Sequence, residues 1–280
     1  MQSSDLVQSH YLQFDESTRL TGAFGEFEFA RVQELILRHL SNGPLEVADV
    51  GGGTGAYSFW LASLGHRVHL IDVVPRHIDA AILRQTRPGP GLASVAVGDA
   101  RTLSFPDGSV DVVLLAGPLY HLIDRIDRLR ALRECHRVLR GGGLLLAIAI
   151  NRYAGAVYGL TRGLVFDPEY FEMTVRELST GVRRDPPPDV KTLPEAYFHL
   201  PTELTDEMAA AGFNCEPCLG VMGPAWQVPD LDAAWADRKR RETLLSLSRQ
   251  VERECVLSPQ LFCAGRKGDV PRALREEAGG

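Results

Sequence analysis

From about residue 45 to residue 150, short aliphatic and β-branched runs alternate with stretches whose apolar positions recur every three or four residues. That alternation predicts parallel strands joined by helical crossovers, an α/β sheet. Strands are expected at 46–50, 67–72, 93–97, 110–116 and 144–150, and their near-continuous apolar character suits burial on both faces. Helices are expected at 56–64, 76–85 and 127–139. In the last of these Leu129, Leu132, His136 and Leu139 share one face, arginines occupy the other, and the glycines at 141–143 supply a stop.

Outside this unit the pattern changes. Residues 15–40 read as a helix mixing Phe27, Ala30, Leu35 and Leu37 with charges, placed over an edge or mouth of the sheet. Residues 151–200 read as an insertion of short helices, because glycines and Pro186–Pro188 interrupt apolar stretches. A helix is expected at 202–211, announced by Pro201 and Thr202 and closed by Gly212. Two late strands, 214–221 and 260–266, flank a helical segment at 230–254.

Composition adds exclusions. With 45% hydrophobic and 24% charged residues, the 280-residue chain falls in the soluble globular range. The longest uninterrupted apolar run, residues 144–150, is far shorter than the ~20 residues that span a bilayer. The first ten residues carry no basic cluster followed by an apolar block, so a cytoplasmic location is expected. The five cysteines then read as reduced, and a net charge of −6 disfavours nucleic acid as a partner. Cys215 and Cys218 have metal-ligand spacing, but no second pair or nearby histidine completes a zinc site, so no metal is expected. Only Lys191, Lys239 and Lys267 are lysines among 30 basic residues, which marks GC-rich codon usage.

The strongest local signal is the strand that runs into Asp49-Val-Gly51-Gly-Gly53-Thr-Gly55-Ala56. Glycines there allow positive φ and a close ligand approach. Gly51, Gly53 and Ala56 also satisfy the dinucleotide pattern, so the loop alone leaves NAD and other adenosyl ligands open. Three acids discriminate. Asp49, two residues before the first glycine, repels a pyrophosphate and attracts a cationic amino-acid moiety. Asp72, at the end of the second strand, is placed for ribose hydroxyls, although capping the next helix is an equal alternative for it taken singly. Asp99, after the third strand, can accept from an adenine amine. Such a set suits a cationic adenosyl ligand without phosphates, and S-adenosylmethionine is one.

With those residues in place, the chain resembles the class I S-adenosylmethionine-dependent methyltransferases over residues 45–150. The resemblance includes the glycine loop, Asp72, Gly98-Asp99-Ala100, the segment from Phe105 to Ala116, and the segment from Glu134 to Leu146. It implies a Rossmann-like seven-stranded sheet in the order 3-2-1-4-5-7-6, with helices on both faces and helical lid insertions. It also implies that Asp49, Gly51, Gly53 and Gly55 hold the methionine end, Asp72 the ribose, and Asp99 with the Ala100 amide the adenine. The Ala116 carbonyl would face the ligand ammonium, and S-adenosylhomocysteine would be the product. The run Gly117-Pro-Leu-Tyr120-His121-Leu122 is similar to small-molecule methyltransferases frequent in actinomycetes. Residues 1–268 are accordingly expected to form one domain: an arm at 1–44, a cofactor-binding half at 45–150, insertions at 151–200 and 222–258, and a tail at 269–280.

Methyl transfer from a sulfonium needs alignment, dryness and, for a hydroxyl or ammonium acceptor, a base. His121 is the candidate base because it follows the fourth strand at the carboxyl edge of the sheet, with Tyr120 beside it. Capping or cofactor contact is an equal alternative for His121. Tyr11, Tyr153, His199 and Trp226 are the candidate acceptor-lining residues, with packing an equal alternative for the three aromatics and His199 also a second candidate base, while His39, His66, His69, His77 and His136 read as surface or structural. The expected activity is N- or O-methylation of a small-molecule, specialised-metabolite acceptor, with C-methylation of an aromatic or isoprenoid acceptor as the variant. An NAD-dependent oxidoreductase and a non-catalytic adenosyl sensor are the other classes. No membrane partner is expected, and the oligomeric state stays open, a homodimer included.

Overall fold

The computed structural model describes residues 16, 19–187, 193 and 195–268. Helix α1 (Gly22–Leu37) leads into β1 (Glu46–Val50), α2 (Ala56–Ser63), β2 (Arg67–Asp72), α3 (Pro75–Gln85), β3 (Ser94–Val97) and β4 (Val110–Leu115). A single turn, α4 (Pro118–His121), precedes α5 (Arg125–Val138) and the long β5 (Leu139–Asn151). The insertion holds α6 (Ala154–Arg162), α7 (Pro168–Thr180), β6 (Val182–Arg183) and β7 (Ala196–His199). Then come α8 (Pro201–Ala210), β8 (Phe213–Cys215), β9 (Leu219–Gly220), α9 (Leu231–Ala236), α10 (Arg238–Gln250) and β10 (Gln260–Lys267).

The main path of the sheet is β3-β2-β1-β4-β5-β10-β8, the expected 3-2-1-4-5-7-6 order with β8 and β10 as its sixth and seventh members. Parallel pairing joins β1 to β2 and β4, β2 to β3, and β4 to β5, whereas β10 runs antiparallel to β5 and β8. The central strands are buried because valine, isoleucine and leucine fill both of their faces. On one face Leu119, Leu132, Leu204 and Phe213 join α4, α5 and α8 to the sheet. On the other, Phe27, Leu35, Trp226 and Trp235 join α1 and α9 to it, with the Phe27 and Trp235 rings stacked at 4.9 Å. Among the described residues, no helix is long and apolar enough to cross a membrane.

Several local expectations are corrected. Strand β5 begins at Leu139 rather than at 144, so the glycines at 141–143 lie within the strand instead of ending a helix. The insertion contains β7, which continues the β4 side of β5 through the pairs Ile150↔Phe198 and Asn151↔His199. The strand expected at 214–221 is divided into β8 and β9. The helical segment at 230–254 is divided too, because Asp237 is extended and caps α10 by accepting from the Arg240 amide at 2.8 Å.

Beneath β7 lies a buried ionic group. Arg128 of α5 forms two bonds with Glu207 of α8, at 2.9 and 2.8 Å. Its Nη1 donates to the Leu122 and Ile123 carbonyls, and its guanidinium lies 3.5 Å from the Tyr197 ring centroid. Burial pushes the Glu207 carboxyl up, but bonds from His199 and Arg128 outweigh it and hold the group at about 2. This arrangement fixes the chain just after α4. Removing one member strands the other charge: Arg128→Met should cost about 3–5 kcal/mol in urea unfolding, and the double variant Arg128→Met/Glu207→Leu should recover much of it.

Candidate functional site

The carboxyl ends of β1, β2 and β4 meet along one edge of the sheet, and the loops leaving them surround a cleft of about 1110 Å³, its open mouth included. The first loop is shaped by Gly51, Gly53 and Gly55, with φ of +73°, +58° and +85°. A side chain at Gly51 would lie 2.5 Å from Pro118 Cδ, so the glycine lets the β1 and β4 loops touch. At Gly52 a Cβ would lie 2.6 Å from the Asp49 carboxylate.

Asp49 is fully buried under this loop. Its Oδ2 accepts from Ser58 Oγ at 2.6 Å, and its Oδ1 has no partner. Burial pushes its carboxyl up to about 7; the Ser58 bond opposes that shift and the nearby Asp72 adds to it. Asp72 ties the loop to the next crossover: Oδ2 accepts from the Gly53 amide at 2.8 Å, and Oδ1 accepts from the Val74 amide at 2.9 Å and lies 3.1 Å from His77 Nδ1. Asp72 therefore braces both the loop and the start of α3. A carboxylate offers about four acceptor positions, which leaves one on Oδ2 for a ligand hydroxyl.

At the far end, Asp99 is held by the Arg101 amide at 2.8 Å and the Arg101 guanidinium at 2.6 Å, and Arg101 also reaches Asp127 at 2.7 Å. Burial would raise the Asp99 carboxyl, but the Arg101 bonds keep it below the usual range. At the opposite end α4 places Tyr120 and His121 side by side, with ring centroids 4.6 Å apart, and burial pushes the Tyr120 hydroxyl up.

Gly51, Gly53, Asp72, Asp99, Ala100, Ala116, Tyr120 and His121 all line this cleft, with Asp49 and Gly55 behind its wall. Three of the four expected acceptor residues, Tyr153, His199 and Trp226, do not line it. His199 is fully buried, 3.4 Å from Glu207, because β7 carries it into the ionic group. Trp226 lies in the core on the other face, its indole donating to the Leu257 carbonyl at 2.9 Å. Tyr153 opens α6 outside the cleft, and Tyr11 lies outside the described residues. His77, read from the sequence as structural or surface, lines the cleft against Asp72.

Glu16, Arg19, Tyr57 and Arg101 line the cleft without having been expected there. Tyr57 was accessible to sequence reasoning, since it falls in the first turn of the helix that the glycine loop opens. Glu16 and Arg19 were not, because only tertiary packing brings that segment over the loop. Among the described residues, no group of three or more His, Cys, Asp or Glu side chains is arranged to hold a metal ion.

Residues 48–147 match a methyltransferase domain family. Over 109 residues the chain is 35% identical to malonyl-[acyl-carrier protein] O-methyltransferase of Methylococcus capsulatus, a match covering 39% of this chain and 38% of that one. It is 29% identical to demethylmenaquinone methyltransferase of Thermus thermophilus, covering 66% and 82%. The chain spans about half the length of the first curated relatives it matches. In structure it is similar to an S-adenosylmethionine-dependent methyltransferase of Methanosarcina mazei, with a TM-score of 0.58, 19% identity, and 84% and 98% of the two chains covered. Residues 48–147 are thus a methyltransferase domain, and the sheet around them is the Rossmann-like fold of the class I S-adenosylmethionine-dependent methyltransferases.

Asp49 gives this site a pH signature. With its folded pKa raised from 3.8 to about 7, the folded chain keeps a proton that the unfolded chain has released. Its contribution to stability is therefore full below about pH 4 and is lost as pH rises towards 7. Asp49→Asn should be more stable than the parent at pH 8, by on the order of 4 kcal/mol, and equal to it near pH 4. Thermal melts of the ligand-free proteins across that range would check this.

Proposed function

We propose that this chain transfers a methyl group from S-adenosylmethionine to nitrogen or oxygen of a small-molecule acceptor, a specialised metabolite being our preferred class. The observation that carries the reading is a convergence of unsatisfied polar atoms on one cleft. Tyr57 lines it and Asp49 lies under its glycine loop, and Tyr57 Oη and Asp49 Oδ1 are each buried and without a partner. Buried polar groups are ordinarily bonded, so two orphans beside one cavity mark a place where a polar ligand completes the bonding. Two carboxylates near the glycine loop favour a cationic ligand over a pyrophosphate, which sets aside the NAD alternative.

When bound, S-adenosylmethionine supplies a methyl group already activated on a sulfonium. The chain's own residues bind and orient. In our reading the glycine loop and the Ala116 carbonyl hold the amino-acid end, the one open position on Asp72 Oδ2 takes a ribose hydroxyl, and Asp99 with the Ala100 amide borders the adenine. His121 accepts the acceptor's proton and Tyr120 orients it. Neither His199, Trp226 nor Tyr153 has a part, since none lines the cleft. Strands from Glu46 to Lys267 belong to one sheet, which supports treating residues 1–268 as one functional unit.

Incubation with S-adenosylmethionine labelled in its methyl group, over a panel of amines, phenols and aromatic carbon acceptors, tests the reading. Label should pass to an N- or O-acceptor; label on carbon would move the assignment to the C-methyl variant. His121→Ala should lower kcat by roughly 10²- to 10⁴-fold with little change in S-adenosylhomocysteine affinity. Unchanged kcat would leave His121 only a lining role.

A further inference from the structure

An amino-acid moiety is a zwitterion, so a cleft that takes one by its ammonium also needs a cation for its carboxylate. Three arginines line the cleft: Arg19, Arg84 and Arg101. Arg101 is committed to Asp99 and Asp127 at the far end. Arg84, in the last turn of α3, lies 4.1 Å above the Phe59 ring. Arg19 stands at the glycine loop, where its Nη1 donates to Glu28 at 2.9 Å, and Glu28 is in turn fixed to β10 by Gln260 Nε2 at 2.9 Å. Its Nε donates to Glu16 Oε1 at 2.6 Å.

Glu16 occupies an awkward position. Its Cγ lies 3.1 Å from where a Cβ at Gly53 would be, which places the carboxylate against the loop. One oxygen is on Arg19 and the other is buried with no partner. Burial pushes this carboxyl up despite the arginine beside it. A half-bonded carboxylate, on the arginine of the glycine-loop end and inside a ligand cleft, has the chemistry of the ligand's own carboxylate without its companion ammonium.

We propose that Arg19 receives the α-carboxylate of the ligand's amino-acid end, and that Glu16 is an internal stand-in which that carboxylate displaces. This rests on the methyltransferase reading. Arg19 is thereby a binding residue outside the matched domain, and Glu16 a built-in competitor that weakens affinity for both substrate and product. Because the stand-in must leave before either ligand is fully seated, it also eases release of the product.

Calorimetry with S-adenosylhomocysteine and with methylthioadenosine, which lacks the amino-acid end, tests this without an acceptor. Arg19→Met should weaken S-adenosylhomocysteine by roughly 10- to 150-fold, the range of one charge-assisted bond, and leave methylthioadenosine unchanged. Arg19→Lys should fall between Arg19→Met and the parent. Glu16→Gln should tighten S-adenosylhomocysteine by about 2- to 5-fold, the worth of a partly exposed ion pair. Equal loss of both ligands in Arg19→Met, or no loss, would overturn the assignment of Arg19. Weaker S-adenosylhomocysteine binding in Glu16→Gln would make Glu16 a partner and overturn its role as a stand-in. A parent protein that bound neither ligand would overturn the methyltransferase reading itself.

Discussion

The bond from the Gly53 amide to Asp72 holds the ligand edge together. It joins the loop after β1 to the turn after β2, and the same carboxylate accepts from the Val74 amide at the start of α3. Parallel strands supply only a row of carboxyl ends; they do not say how the loops beyond them are arranged. Here one buried acid sets two loops in register, and the contact of Gly51 with Pro118 brings in a third from β4. Asp99 and the α4 pair are then carried to opposite ends of a single cleft by the strands that precede them.

A second constraint supports the end of the cleft where we place the acceptor. The turn with Tyr120 and His121 has only four residues, too few for its own hydrogen bonds to hold it. It is fixed from behind by Arg128, which bonds the two carbonyls that follow it and is itself neutralised by Glu207. The insertion contributes β7 to this support, so its role is structural at the point where it meets the sheet. That also accounts for His199: a histidine beside a depressed carboxylate and an arginine, with no route to the cleft, helps fill an ionic core.

What could be read from the sequence follows from interaction range. The strands β1, β2 and β4, the glycine loop and the acids that follow it depend on neighbours within a few residues, and their apolar runs and turn residues announce them. Strand β7 is four residues long and entirely buried; its β character comes from the end of β5, nearly fifty positions away, and no local pattern encodes that. Trp226 was open to either closing over an acceptor or packing, and the structure packs it into the core, against Phe24 at 6.0 Å. Tyr153, two residues beyond β5, does not line the cleft either. Glu16 and Arg19 carried a visible signal, an acid and a base three residues apart. Such spacing is common on solvent-facing turns, and only the packing of α1 through Glu28 gives this pair a place above the loop.

The ligand-free cleft is a region of unresolved charge. Asp49 is driven towards protonation at neutral pH, Glu16 is raised by its burial, and the Tyr57 hydroxyl has no partner. Each is a cost carried by the folded chain, offset by the apolar cores above and below the sheet. A cation entering next to Asp49 favours its ionised form, so binding and proton release are linked, and the relief of that cost adds to affinity. By the same linkage the ligand stabilises the fold that binds it. Sites assembled from well-satisfied groups have no such reserve. In our reading the poor bonding of Asp49 and Tyr57 is thus what couples the fold to a cationic ligand, whereas Glu16 is the group that such a ligand displaces.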